Sequence, residues 1–262
     1  MTGYAHWTLT QVDRIVTLTL DRAQALNTLT PEALYELRDI SAALAGEEAV
    51  WVVVVQGAGA HFSAGVDVSA IGGMIGQTPQ AVRDNLRTLQ GCLEVFEALP
   101  QVTIARIRGH CIGGGLILAL CCDFRVADET TRFHLPEVQL GIPVIMGTQR
   151  ITRVAGVAAA RLLVMLAEPF NAAEALRLGL IDRATATDQL DRTVDALARR
   201  LAGLPPRTLR AARTIIEAGA GLSLRASQDL EIDAMIDLLD SDDFAEGVHA
   251  FREKRLPQFT GR

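Results

Sequence analysis

The residues best placed to do chemistry lie between Ala105 and Arg150. Ala105-Arg-Ile-Arg-Gly109-His-Cys-Ile-Gly113-Gly114-Gly115 reads as an apolar strand that runs into three glycines, and the glycines open an apolar helix. The first backbone N–H groups of a helix have no partner within it, and glycine lets another group approach them closely. Such donors can hold an anion, or an oxygen that gains negative charge during a reaction. Further on, in Phe133-His-Leu-Pro136-Glu137-Val-Gln-Leu-Gly141, a carboxylate stands between a proline and an apolar run. Oxyanion donors plus one carboxylate suggest proton removal beside a carbonyl. The bland alternative is a tight turn whose glycines serve packing, followed by a solvated charge.

The elements that must hold these residues can be read from periodicity. Val12 to Leu20 alternates apolar and polar residues, which predicts a strand. Thr30-Pro31-Glu32 reads as N-cap, first helical residue and acidic first turn of a helix that stops at Gly46. Val50 to Gln56 is a continuous, largely β-branched run, as in a strand buried on both faces. Pro79 to Leu99 is a helix with Leu86, Leu89, Leu93 and Phe96 on one face, and Val102 to Ile107 is the next strand. Gly57-Ala-Gly59 lacks the third glycine and the immediate helix of a dinucleotide site, and no phosphate-binding Gly-Lys-Ser/Thr loop occurs. Beyond Gly147 the pattern is mostly helical, and Pro205-Pro206 marks a boundary before three further helices. We therefore expect an α/β core over residues 1–201 and a helical region over residues 202–262. The stripe Leu230, Ile232, Met235, Ile236 and Leu239 is broad for an exposed helix and needs a partner, either the core or another subunit.

Composition narrows the function classes. Nearly half of the 262 residues are apolar, and the formal charge of −6 lacks the general basic character that nucleic-acid binding needs. Cys92, Cys111, Cys121 and Cys122 are expected to be buried and reduced. No signal peptide and no membrane span are expected, so the reading is of a cytoplasmic protein without membrane or nucleic-acid partners. His61, His110 and His134 border the motif loops without zinc-like spacing, so no metal is expected.

Seven segments in order resemble the enoyl-CoA hydratase/isomerase family, or crotonase superfamily, across nearly the whole chain. They are Asp21-Arg22-Ala-Gln-Ala-Leu-Asn27, His61-Phe-Ser-Ala-Gly-Val-Asp-Val68, Gly109 to Gly115 with Cys122-Asp123, Phe133 to Gly141, Gly147-Thr-Gln-Arg150, Ala172 to Asp182, and Phe244 to Arg255. The resemblance implies an α/β spiral of ββα units that binds acyl-CoA, with a C-terminal helical trimerisation region, as a homotrimer or a dimer of trimers. It implies no cofactor beyond the coenzyme A carried by the substrate.

By the same resemblance, Val66 and Gly114 match the positions whose N–H groups form the family's oxyanion hole, beside Gly113. Glu137 matches a catalytic-acid position. Arg22, Ala25, Ala64, Gly65, Asp67, Val68 and Lys254 match segments that contact CoA, Lys254 reaching a neighbouring subunit's CoA. For Arg22 and Lys254, phosphate binding and a plain solvated charge are equal readings. His110 is read first as a loop or core histidine and, in the alternative, as lining the acyl pocket, and Ile117 is placed at the substrate site. The chain departs from the hydratases at Ile117, where their second glutamate would stand, and in the stretch Gly141-Ile-Pro143-Val-Ile-Met146. One carboxylate suits a 1,3 proton shuttle, as in enoyl-CoA isomerases, while hydration needs a second group. Thioester hydrolysis, decarboxylation, C–C cleavage and non-catalytic acyl-CoA binding remain as alternatives.

Overall fold

The computed structural model describes residues 3–262. Strands β1 (Trp7–Val12) and β2 (Ile15–Leu20) form an antiparallel pair. The expected strand from Val12 to Leu20 is thus interrupted: Asp13 takes a left-handed φ of 52° and turns the chain, so only the part from Ile15 onward is the inner strand. Helix α1 (Pro31–Ala45) begins as read, because the Thr30 side chain accepts the Ala33 N–H, and it ends at Gly46. Strand β3 (Val52–Gly57) is followed by the short helix α2 (Val68–Gly72) and by α3 (Pro79–Glu97).

The next unit is the one that matters for the site. Strand β4 (Val102–Ile107) leads through Gly109 into a three-residue strand, β5 (His110–Ile112), and then into helix α4 (Gly114–Leu120). The single strand expected to run into the glycines is therefore two strands. The break falls at Gly109, whose φ of 60° favours glycine. Strands β6 (Phe124–Asp128) and β7 (Arg132–His134) repeat the pattern, and helix α5 (Thr148–Arg161), broken at Gly156, follows them. Strand β8 (Phe170–Asn171), helix α6 (Ala172–Arg177), strand β9 (Arg183–Thr185) and helix α7 (Leu190–Ala202) complete the core. Helices α8 (Pro206–Gly219), α9 (Leu224–Leu238) and α10 (Asp242–Glu253) close the chain.

Two sheets result. The large one has the order β1-β2-β3-β4-β6-β9, all parallel beyond the first pair, and the small one has the order β5-β7-β8. Consecutive strands such as β4 and β5, or β6 and β7, go one to each sheet, which gives the spiral of ββα turns. The β-branched run in β3 is explained by burial on both faces. Val53 and Val55 join the main core with Leu37 and Ile40 of α1 and Leu93 and Phe96 of α3, while Val52 and Val54 pack toward Val194 and Leu197 of α7. Each such side chain fully removed from water contributes about 1.5–3 kcal/mol. Helix α8 is fastened to the core by Arg213, whose guanidinium lies 3.1 Å from the Asp123 carboxylate and also donates to the Leu99 and Gln101 carbonyls.

Candidate active site

The three residues of β5 organise the site. On one side, β5 meets the loop that carries Val66: Ser63 N–H donates to the His110 carbonyl at 2.9 Å, and Ile112 N–H donates to the Ser63 carbonyl at 3.0 Å. On its other side, β5 pairs in parallel with β7, with Ile112 opposite His134. Parallel strands emerge from the same end, so Gly113-Gly114 and Pro136-Glu137 leave the sheet side by side. Gly113 N–H donates to the His134 carbonyl at 2.8 Å and locks this exit.

The two expected donors come together. A β-carbon added to Gly114 would lie 3.3 Å from the Val66 nitrogen and 2.8 Å from Val66 Cγ2. Gly114 is the first residue of α4, and among the described residues neither its N–H nor that of Val66 donates to any protein group. The left-handed φ of 98° at Gly65 is what turns the first loop toward the second; a side chain there would meet the Ile112 carbonyl at 2.8 Å.

Glu137 sits against the same glycines. A β-carbon on Gly113 would lie 2.7 Å from Glu137 Oε1, and Gly113 itself has a φ of 49°. Glycine is required here twice over, for the backbone and for the approach of the carboxylate. Glu137 Oε2 is buried with no hydrogen-bond partner. Burial raises the Glu137 pKa above its ordinary value, which outweighs a backbone hydrogen bond and the nearby His134. A partly desolvated carboxylate with one oxygen free of partners is what a general base needs.

The position of the missing acid is filled. Ile117, one turn into α4, is buried and packs on Gly147 and Val144; a β-carbon on Gly147 would lie 2.6 Å from Ile117 Cγ1. The altered stretch ends at Met146, which adopts a φ of 66°. A non-glycine residue in this left-handed region costs about 1–2 kcal/mol. Its carbonyl accepts Arg150 Nη1 at 2.6 Å, and Arg150 is held in turn by Glu97 at 2.6 Å. Asp67, the other acid nearby, caps α2: its Oδ1 accepts Ser69 N–H and Ser69 Oγ, and these bonds lower its pKa.

The turn that carries Arg22 and Ala25 meets the loop that carries Ala64, buried Gly65, Asp67 and exposed Val68. Ala64 N–H donates to the Leu26 carbonyl at 2.9 Å, and Arg22 Nη2 stands 3.9 Å from Asp67 Oδ2. His110 is the first residue of β5 rather than a loop residue; its ring stacks on His61, with centroids 4.3 Å apart, and its backbone N–H donates to His61 Nδ1. Lys254, the lone lysine of the sequence, follows α10 in the C-terminal helical region, on a different element from the rest. The four cysteines are free and buried as read, Cys121 being pushed up to about 12 by desolvation. Among the described residues, no cluster of three His, Cys, Asp or Glu side chains could hold a metal. Sequence reasoning passed over Asn27 and Ser63 as functional residues. The one signal was an asparagine closing the Asp21–Asn27 turn, and Asn27 does take a φ of 54° there.

The family profile described as "Enoyl-CoA hydratase/isomerase" matches residues 10–262. The chain belongs to the enoyl-CoA hydratase/isomerase family. It is similar, at 36% identity, to an "Enoyl-CoA isomerase/hydratase" of Mycosarcoma maydis, over 94% of this chain and 92% of that one. It is 30% identical to a "Crotonyl-CoA hydratase" of Syntrophomonas wolfei, over 99% of this chain and all of the other. Its fold matches the crystal structure of an enoyl-CoA hydratase from Bacillus anthracis with a TM-score of 0.91 at 31% identity, covering 98% of this chain and 100% of that one. The α/β spiral and the enzyme class expected for a hydratase/isomerase family member therefore hold. Among the described residues, no helix is long and apolar enough to cross a membrane.

Proposed function

We propose that the protein is an enoyl-CoA isomerase-type enzyme that moves a proton between two carbons of an unsaturated acyl-CoA, with Glu137 as its acid and base. The observation that carries this reading is the partly buried Glu137 carboxylate against Gly113, its Oε2 without a hydrogen-bond partner, with Ile117 rather than a second acid on the facing helix. In the proposed cycle the thioester oxygen accepts the N–H groups of Val66 and Gly114. Glu137 removes the proton from C2 of a 3-enoyl thioester, and the electron pair spreads over the dienolate with its charge on the thioester oxygen. The now neutral Glu137 returns the proton to C4, which leaves the conjugated 2-enoyl thioester. Each oxyanion donor is worth roughly 3 kcal/mol of barrier. Arg22, Ala25, Ala64, Gly65, Asp67 and Val68 form the surface for the CoA moiety, whose reactive thioester is the only coenzyme chemistry involved.

Hydration is the second reading, favoured by relatives such as the "Crotonyl-CoA hydratase" of Syntrophomonas wolfei. It would need a water activated by a group other than a carboxylate at position 117. The two are separated by assaying 3-enoyl- and 2-enoyl-CoA esters of several lengths in parallel, scoring conjugation and hydration independently. Isomerisation that outpaces hydration and collapses in Glu137→Gln is expected. Hydration as the dominant activity, or turnover indifferent to Glu137→Gln, would overturn the proposal.

We also propose a trimer-based assembly. Ile232, Met235 and Ile236 of α9 and Leu239 just after it are exposed in the isolated chain, as are Val157, Leu162, Met165 and Leu166, and such an apolar surface calls for a partner. Lys254 would then serve a neighbouring subunit's CoA.

A further inference from the structure

Ser63 is fully buried and touches the residue before one donor, Gly65, and the residue after the other, Gly115. Its hydroxyl accepts Gly65 N–H at 3.1 Å, one residue before Val66, and donates to the Asn27 carbonyl at 2.7 Å. Its backbone pairs with β5, which leads into Gly114. Gly115 closes on it directly: a β-carbon there would lie 2.7 Å from the Ser63 carbonyl oxygen and 2.8 Å from Ser63 Cβ. Behind Ser63, Asn27 is also fully buried and uses its whole side chain. Asn27 Nδ2 donates to the Ala58 and His61 carbonyls at 2.8 and 2.7 Å, and Oδ1 accepts Arg22 N–H at 3.0 Å.

We infer that Ser63 is a positioning residue for the reaction: its hydroxyl, held by Asn27, sets where the Val66 N–H stands relative to the Gly114 N–H. The two donors act on one oxygen, so their separation must be fixed before the charge appears. Val66 lies on a loop, and the Ser63 hydroxyl is the side-chain contact that ties that loop's turn at Gly65 to the rigid Asn27 turn. This inference rests on the oxyanion reading above.

The test is the infrared carbonyl stretch of a 13C-labelled enoyl thioester bound to the full-length enzyme, together with kcat and KM. The parent is expected to shift the stretch to lower frequency. Ser63→Ala should lose much of that shift and about 10–100-fold in kcat, because a donor displaced by a fraction of an ångström polarises the carbonyl poorly. KM should stay within about threefold, because the CoA contacts are untouched. Should Ser63→Ala fail to fold, Ser63→Cys, of similar shape but a weaker donor and acceptor, is read in the same way. A variant that keeps the parent's carbonyl shift and loses only thermal stability overturns the inference and leaves the oxyanion reading standing. A parent that shows no shift overturns both.

Discussion

Burial of the Glu137 carboxylate against Gly113 ties reactivity to instability. Its folded-state pKa lies above the ordinary 4.5, so near that pH the folded chain retains a proton that the unfolded chain has released. The favourable contribution is present below pH 4.5 and is lost as the pH rises through the folded value. Glu137→Gln should therefore melt at a higher temperature than the parent at pH 7, with the gap closing in acid, while turnover falls about 10²–10⁴-fold. Calorimetry and an isomerisation assay on the same preparation check both. Gly113→Ala should lose activity and stability together, because its β-carbon would sit 2.7 Å from Glu137 Oε1 on a backbone with a φ of 49°. The sequence shows both residues plainly, one after a proline and one in a glycine run. It does not show that Ser63 and Asn27 support them, since a buried serine and a left-handed asparagine become meaningful only once two distant loops are in contact.

At the scale of elements, the site depends on β5, the three-residue strand between the Val66 loop and β7. The longer elements were legible because their signals are local. Thr30-Pro31 starts α1 through a cap within the same turn, and the valines of β3 mark a strand covered on both faces. Strand β5 was not legible as separate from β4, because only Gly109 divides them and its significance lies in pairing with β7. The stacked His61 and His110 rings bind the loop to this strand, and the His110 N–H donating to His61 Nδ1 requires that nitrogen to be unprotonated. Burial, then the neighbouring His110, lower the His61 pKa below its ordinary 6.5. A depressed histidine pKa means that the unfolded chain binds more protons, so stability is complete above pH 6.5 and declines as the pH falls below it. Thermal melts from pH 8 to about 5 should show this decline in the parent and a shallower one in His61→Asn.

For the whole molecule, the exposed apolar helices carry the expectation of assembly. Ile236→Asp should shift the protein from a trimer-based species to monomers in sedimentation, because a charge would then face a desolvated interface. A monomeric parent at micromolar concentration would refute the assembly. The central claim, that one carboxylate serves both carbons, is tested most directly by following the proton itself. A 3-enoyl-CoA deuterated at C2 is turned over by the intact enzyme, and the early product is read by mass spectrometry and NMR. The account predicts deuterium delivered to C4 of the conjugated product, in excess of solvent exchange, and product formation about 10²–10⁴-fold slower in Glu137→Gln. Isomerisation that proceeds with no label at C4 even at the earliest times, or product formed undiminished by Glu137→Gln, would contradict it.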